Sequence, residues 1–234
     1  MATRIARGFG QYGGVARAIE RVGERWTLLI VRDLLAGARR YSDLKAGLPR
    51  IPTNILSDRL KELQEAGVVR RVPTVRGGYE LTALGRALEP VVVELERWGW
   101  ALLGDLGDGE ILTADALALT LRAAFQPARA LELPPTEYVL HTGDISVSAI
   151  VDGAALDVAA VGVGALPTPN RQLSATGSMS LLELTLEPAG LRDLLGGGQG
   201  PSGSDAELMT RFQRTFRIVP DRTGKPAEQD AAVA

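Results

Sequence analysis

Apolar positions in the first hundred residues recur at helical spacing. Val15, Ala18, Ile19 and Val22 follow the i, i+3, i+4, i+7 rule of a short amphipathic helix. Trp26, Leu29, Ile30 and Leu34 repeat it, and Gly37 stands where a helix C′ residue belongs. "YSDLKAGL" predicts a third helix with Leu44 and Leu48 inward, after which "PRIP" breaks the chain. In "TNILSDRLKELQEAG" Thr53 is placed to cap a fourth helix, whose Leu56, Leu60 and Leu63 share one narrow stripe. After Gly67 the period becomes extended. "VVRRVPTVRGGYELT" reads as a strand over 68–72, a tip around Arg76-Gly77-Gly78 and a strand over 79–82, with the glycines supplying positive φ. Thr82 then caps a long helix striped by Leu84, Leu88, Val91, Val92, Leu95 and Trp98, which Pro90 should kink.

A composition break follows. Gly104, Gly107 and Gly109 alternate with Asp105 and Asp108, and Thr113 offers a cap for a helix over 111–125 with Leu117, Leu121, Ala124 and Phe125 buried. "TEYVLHTG", "DISVSAIVDG", "AALDVAAVGVG" and "SMSLLELTLE" predict strands. "PAGLRDLLGGG" predicts a short helix, and "DAELMTRFQRTFRI" an amphipathic one with Leu208, Phe212 and Phe216 on one side. From Asp221 no apolar period remains, so a mobile tail is expected. The fold class is therefore α+β: one domain over 1–108, a helix–sheet domain over 109–220, and a tail over 221–234.

The composition, 45% hydrophobic and 23% charged, is that of a globular protein. With no cysteine, disulfides, thiolate metal sites and thiol redox sensing are excluded, and one histidine leaves no multi-histidine metal site. We expect no cofactor. No apolar run has bilayer-spanning length and "MATRIARGFGQYGG" lacks a signal-peptide core, so a cytoplasmic protein without membrane association is expected. The net charge of −2 hides an asymmetry: residues 1–104 hold 17 Lys and Arg against 11 Asp and Glu, residues 105–234 hold 9 against 17. A basic half joined to an acidic one is compatible with one half meeting a polyanion, and equally with two differing surfaces.

The far side of the fourth helix decides between these. Asn54, Ser57, Asp58 and Lys61 lie there, short or polar groups able to meet base edges or phosphates in the major groove. A helix with polar residues outside is ordinarily just solvated. Here it follows three short helices and precedes a hairpin, which is the order of a winged helix-turn-helix with double-stranded DNA as partner. Arg50, Thr53, Asn54, Ser57, Asp58 and Lys61, with Arg70, Arg71 and Arg76 of the wing, are the candidate DNA contacts. Asp58 could accept from a cytosine amino group or pair with Arg59 or Lys61.

The blocks "GERWTLLIVRDLL", "RRYSDL" and "LSDRLKELQEAGVV" together resemble the HxlR-type family of bacterial winged-helix transcription regulators over residues 10–103. The resemblance implies a homodimer on a pseudo-palindromic operator, with the first and last helices of the domain forming the interface. Val15, Ile19, Leu95, Trp98 and Trp100 are the candidate interface residues, intradomain core being the competing reading for Trp98. Many family members carry a cysteine just before the first helix. Here "QYGGVARA" has Gly13 and Gly14, so a signal must arrive by another route.

The second half, through "LDVAAVGVGALPTPNRQL", "LRDLLGGG" and the closing helix, resembles the sterol carrier protein-like domain. That implies an apolar cavity between sheet and helices for a small apolar or amphipathic effector, with Met179, Leu182, Leu184 and Phe212 as lining candidates; plain core is the alternative. His141 reads as a surface or edge strand residue, and "GGGQGPSG" lacks the Lys-Ser/Thr of a phosphate loop, so no enzyme is expected. Two functions stay open: a ligand-responsive regulator, expected to be a repressor, or one whose second domain only stabilises the dimer or binds a partner. A lipid-binding carrier is the remaining alternative.

Overall fold

The computed structural model describes residues 8–73, 77–162, 179–201 and 203–218. The wing-tip Arg76 and the segment from Asp221 lie outside them. The helical spacings of the first half produce α1 (Gly14–Val22), α2 (Thr27–Leu35), α3 (Tyr41–Gly47) and α4 (Thr53–Glu65). Ile30, Leu34, Leu44, Leu48, Leu56, Leu60 and Leu63 are all buried in one core, as their periodicity requires. Thr53 does not cap α4. Pro52 holds that position with an extended backbone, and Thr53 is the first helical residue. Gly67 takes φ +72° after α4, turning the chain into β1 (Val69–Val72), which pairs antiparallel with β2 (Gly78–Leu81). Arg39 adds a single bridge to this ribbon, its N–H and C=O exchanging bonds with Tyr79 at 3.0 and 2.8 Å.

The long helix expected after Thr82 is broken rather than kinked. Thr82 caps α5 (Ala83–Arg86) through Gly85 N–H, and a separate α6 (Glu89–Trp100) begins with Pro90 in its first turn. Proline is tolerated in a first turn, where the missing N–H has no partner to lose. Glycine at 85 is required because α5 lies close against the backbone leading into β1: a Cβ there would stand 2.2 Å from the Val68 carbonyl oxygen.

The second half contains α7 (Ala114–Ala124), α8 (Pro127–Ala130), β3 (Thr136–Thr142), β4 (Ile145–Asp152), β5 (Ala155–Val161), β6 (Ser180–Thr185), α9 (Pro188–Leu195) and α10 (Ala206–Thr215). The sheet order is β5-β4-β3-β6, with β6 parallel to β3 and the other pairs antiparallel. Tyr138 and Leu140 of β3 alternate into a core with Leu194 of α9 and Phe212 of α10. Tyr138, Phe212 and Phe216 meet there at centroid distances of 5.0–5.5 Å, Tyr138 edge-on to both phenylalanines. His141 is half-buried on β3, which is flanked by strands on both sides, so it is not an edge residue; its Nδ1 lies 2.8 Å from Ser146 Oγ.

α7 belongs to both cores. Leu117 and Leu121 pack into the sheet side, while Leu119 is buried among α2, α4 and the wing strands. At its first turn Asp115 accepts two bonds from Arg39, Nε–H to Oδ2 at 3.1 Å and Nη2–H to Oδ1 at 2.7 Å. The Arg39 side chain is 1% exposed. Beside it lies Asp33 of α2, paired with Arg32 at 2.8 Å through Oδ1, while its buried Oδ2 has no hydrogen-bond partner among the described residues. Burial, opposed by Arg32 and reinforced by Asp115, raises the Asp33 pKa to about 6.

Two outcomes test this cluster. Asp115→Ala removes the carboxylate facing a buried guanidinium and should destabilise the protein by about 3–5 kcal/mol in urea unfolding; a loss below about 1 kcal/mol would show the pair to be dispensable. For Asp33 the folded pKa lies above the unfolded one, so the native state holds the extra proton. Its favourable contribution is full below pH 4 and disappears as pH rises through about 6. The stability of wild type relative to Asp33→Asn should therefore fall by about 2 kcal/mol between pH 4 and 6.5 and stay nearly level above. A difference independent of pH contradicts the assignment.

Candidate nucleic-acid interface

α4 turns Leu56, Leu60 and Leu63 into the core, which by the 100° step forces Asn54, Ser57, Asp58 and Lys61 outward, and all four are exposed. Asn54 and Asp58 make no side-chain hydrogen bond or ion pair among the described residues, so Asp58 pairs with neither Arg59 nor Lys61. Arg59 instead bonds Glu62 at 2.6 Å and approaches Glu24 at 3.5 Å. Among the described residues Lys61 has only Glu65, at 3.9 Å, with its side chain 77% exposed. An ammonium held this loosely is available to a phosphate.

Between α4 and the wing runs an open groove of about 420 Å³, bounded by Tyr41, Ser57, Lys61, Gln64, Arg71 and Tyr79. Tyr41 and Gln64 were not among the sequence candidates. Tyr41 Oη donates to the Thr53 carbonyl at 2.8 Å and receives Ser57 Oγ–H at 3.3 Å, tying the start of α4 to α3. The hint in the sequence was Tyr41 opening a helix immediately before the reading helix. Arg71 folds over the Tyr79 ring at 4.9 Å and donates to its hydroxyl at 2.9 Å, while Arg70 is bonded to Glu80 at 2.7 Å across the ribbon. Arg70 and Arg71 are thus each oriented by neighbours within the wing.

Arg50 departs from the expectation. Its Nη2–H donates to the Asp108 carbonyl at 2.9 Å, so the side chain is directed to the segment linking the two halves rather than to the α4 face. Trp100 is likewise buried in the core of the second half instead of standing at an interface, because α6 packs along α7 and its last turn enters that core. Val15, Ile19, Leu95 and Trp98 are exposed. Leu182, Leu184 and Phe212 are buried among core side chains and Met179 is half-buried; none lines the cavity found at the junction of the halves.

The HxlR-like helix-turn-helix family profile matches residues 21–105. The HTH-type transcriptional regulator YvaP of Bacillus subtilis, itself uncharacterised, is 43% identical over 86 residues, spanning 35% of this chain and 80% of that protein. The chain belongs to the HxlR-like family. Rv3095, an uncharacterised HTH-type transcriptional regulator of Mycobacterium tuberculosis, is 47% identical over 89 residues, 36% of this chain and 56% of its own length. This chain thus spans just over half of the mycobacterial relative it matches. Among solved structures, quinone-bound YodB from B. subtilis is 32% identical, covering 38% of this chain and 97% of that one at a TM-score of 0.35. The HxlR-like part is a DNA-binding helix-turn-helix of a transcription-regulator family, and α3, α4 and the β1–β2 wing are its elements here.

Lys61→Ala should weaken binding to specific and random DNA alike and lower the salt slope by about one unit. Asn54→Ala should instead cost about 1–3 kcal/mol at one operator position. Fluorescence anisotropy on both DNAs across a salt series separates them; equal losses for Asn54→Ala on both would contradict base reading.

Proposed function

We propose that the protein is a dimeric transcriptional repressor that places two α4 helices on a pseudo-palindromic operator, with residues 109–220 adjusting its DNA affinity in response to a small apolar effector. The observation that carries the dimer is an apolar surface left open on the first and last helices of the HxlR-like part. Val91, Leu95 and Trp98 are exposed at i, i+4, i+7 on α6, and Val15 and Ile19 are exposed on α1. Trp98, 68% exposed, has the size and amphipathic ring of an interface anchor. Patches of this kind on soluble proteins mark association surfaces.

The C-terminal helix–sheet unit, of sterol carrier protein-like type in this proposal, carries helices against its sheet and a core filled by Tyr138, Phe212 and Phe216. That filled core favours a second reading, in which the unit stabilises the dimer and takes no molecule between sheet and α10. An effector can act only through different affinity for the DNA-competent and incompetent arrangements. Among the described residues no helix is long and apolar enough to cross a membrane.

Sedimentation and operator anisotropy test the dimer together. Trp98→Asp should convert a dimer to monomer and weaken operator binding by roughly a hundredfold through lost bivalency. A variant that remains dimeric with full affinity removes α6 from the interface.

A further inference from the structure

Where the two halves meet there is a cavity of about 620 Å³, within the range that holds drug-sized molecules. Its walls come from both halves. Trp26 and Leu29 belong to the start of α2, Pro49 and Arg50 to the turn that leads into α4, Glu96 and Trp100 to α6, and Pro188 and Leu191 to α9. The segment from Leu102 to Leu112 closes one side with leucines and an isoleucine. Leu102, Leu103, Leu106 and Ile111 are all more than half exposed, an unusual density of large apolar residues for a connecting segment.

The charged groups around this space are not equivalent. Arg50 is held by the Asp108 carbonyl at 2.9 Å. Arg192 is held by the Gly104 carbonyl at 2.8 Å and lies 3.5 Å from Asp105. Glu110 accepts the Gly107 N–H at 3.0 Å. Glu96 differs from the exposed Glu110 in being half-buried: it accepts a bond from Thr120 Oγ1 at 2.7 Å and makes no ion pair among the described residues. The cavity it lines also carries the indoles of Trp26 and Trp100 and several aliphatic side chains. A carboxylate so placed gains most from a cation that brings its own apolar body. Indole rings add to the attraction for such a cation, and Arg25 already stacks over the Trp26 ring at 5.3 Å without itself lining the cavity.

We propose that this junction cavity is the effector site of the regulator and that it takes a lipophilic cation, an apolar or aromatic molecule whose positive centre meets Glu96. This rests on the ligand-responsive reading above and moves the site from the sheet–helix core to the junction. Occupancy reaches the DNA head directly, because Pro49 and Arg50 precede the first residue of α4 by four and three positions and the Arg50–Asp108 bond is at the cavity edge. A molecule seated there displaces or locks that bond and with it the orientation of α4.

Tetraphenylphosphonium and tetraphenylborate have nearly the same shape and opposite charge, which makes them suitable probes for isothermal titration calorimetry on the full chain. Tetraphenylphosphonium should bind saturably and tetraphenylborate at least about tenfold more weakly; Glu96→Gln, which can still accept from Thr120, should weaken the cation about tenfold or more and leave the anion unaffected. Leu29→Arg, which sets a like charge in the cavity wall at a position already 36% exposed, should abolish cation binding with thermal stability kept. Equal affinity for both probes, or a Glu96→Gln protein that binds the cation as wild type does, overturns the proposal. Operator anisotropy of the same preparations keeps the two readings apart. Specific DNA binding without any cation binding sinks the site and leaves the regulator standing. Cation binding by a protein that ignores DNA keeps the site and sinks the regulator.

Discussion

The Arg39–Asp115 ion pair is the contact on which the arrangement of this molecule turns. Arg39 does two things at once: its backbone extends the wing ribbon through Tyr79, and its guanidinium enters the first turn of α7. A buried cation of this kind is costly without a partner, so its pairing with Asp115 is conditional on α7 lying against α2. The favourable position of an acid in the first turn of a helix adds to the same placement. Asp33 and Arg32 complete a group of two acids and two bases, and the other three charges all act on Asp33. The wing, α2 and the first helix after the linker are thereby joined by charge as well as by Leu119.

Most elements were legible because their burial is one-sided. The stripe on α4, the alternation on β3 and the glycine after α4 each follow from local spacing, and each is where it was expected. α7 was legible as a helix but not as a shared one. Its periodicity announced Leu117, Leu121 and Ala124, whereas Ala118, Leu119, Thr120 and Ala123 are buried as well, since a helix clasped on both sides has no solvent face to betray its neighbours. Arg39 shows the same limit more sharply. In "ARRY" it looks like one of two exposed arginines, and only a carboxylate 76 residues away explains its burial.

The candidate site divides along similar lines. The outward face of α4 was readable from angle alone. The roles of Arg50, Arg70 and Arg71 were not, because a long cationic side chain can reach several partners from one Cα, and the choice is made by tertiary neighbours: the Asp108 carbonyl, Glu80 and the Tyr79 ring. Trp100 was misjudged as an interface residue since α6 carries two apolar faces. One, with Leu95 and Trp98, is open, and the other is occupied by α7 and the core beyond it.

These two faces of α6 bear on how signal and DNA could be joined. The face with Trp98 is the one through which a second copy would set the spacing of the two α4 helices, while Glu96 and Trp100, on the same two turns, line the junction cavity. A rigid helix three turns long cannot rotate one face without moving the other. Any molecule that shifts α6 from the cavity side would therefore alter the angle at which two copies meet in the proposed dimer. The helix also holds Thr120 of α7 through Glu96, so the same movement is transmitted to the helix that carries Asp115. Coupling between cavity, dimer and wing thus needs no flexible relay. It needs only that α6 and α7, packed along each other, move as one body against α2.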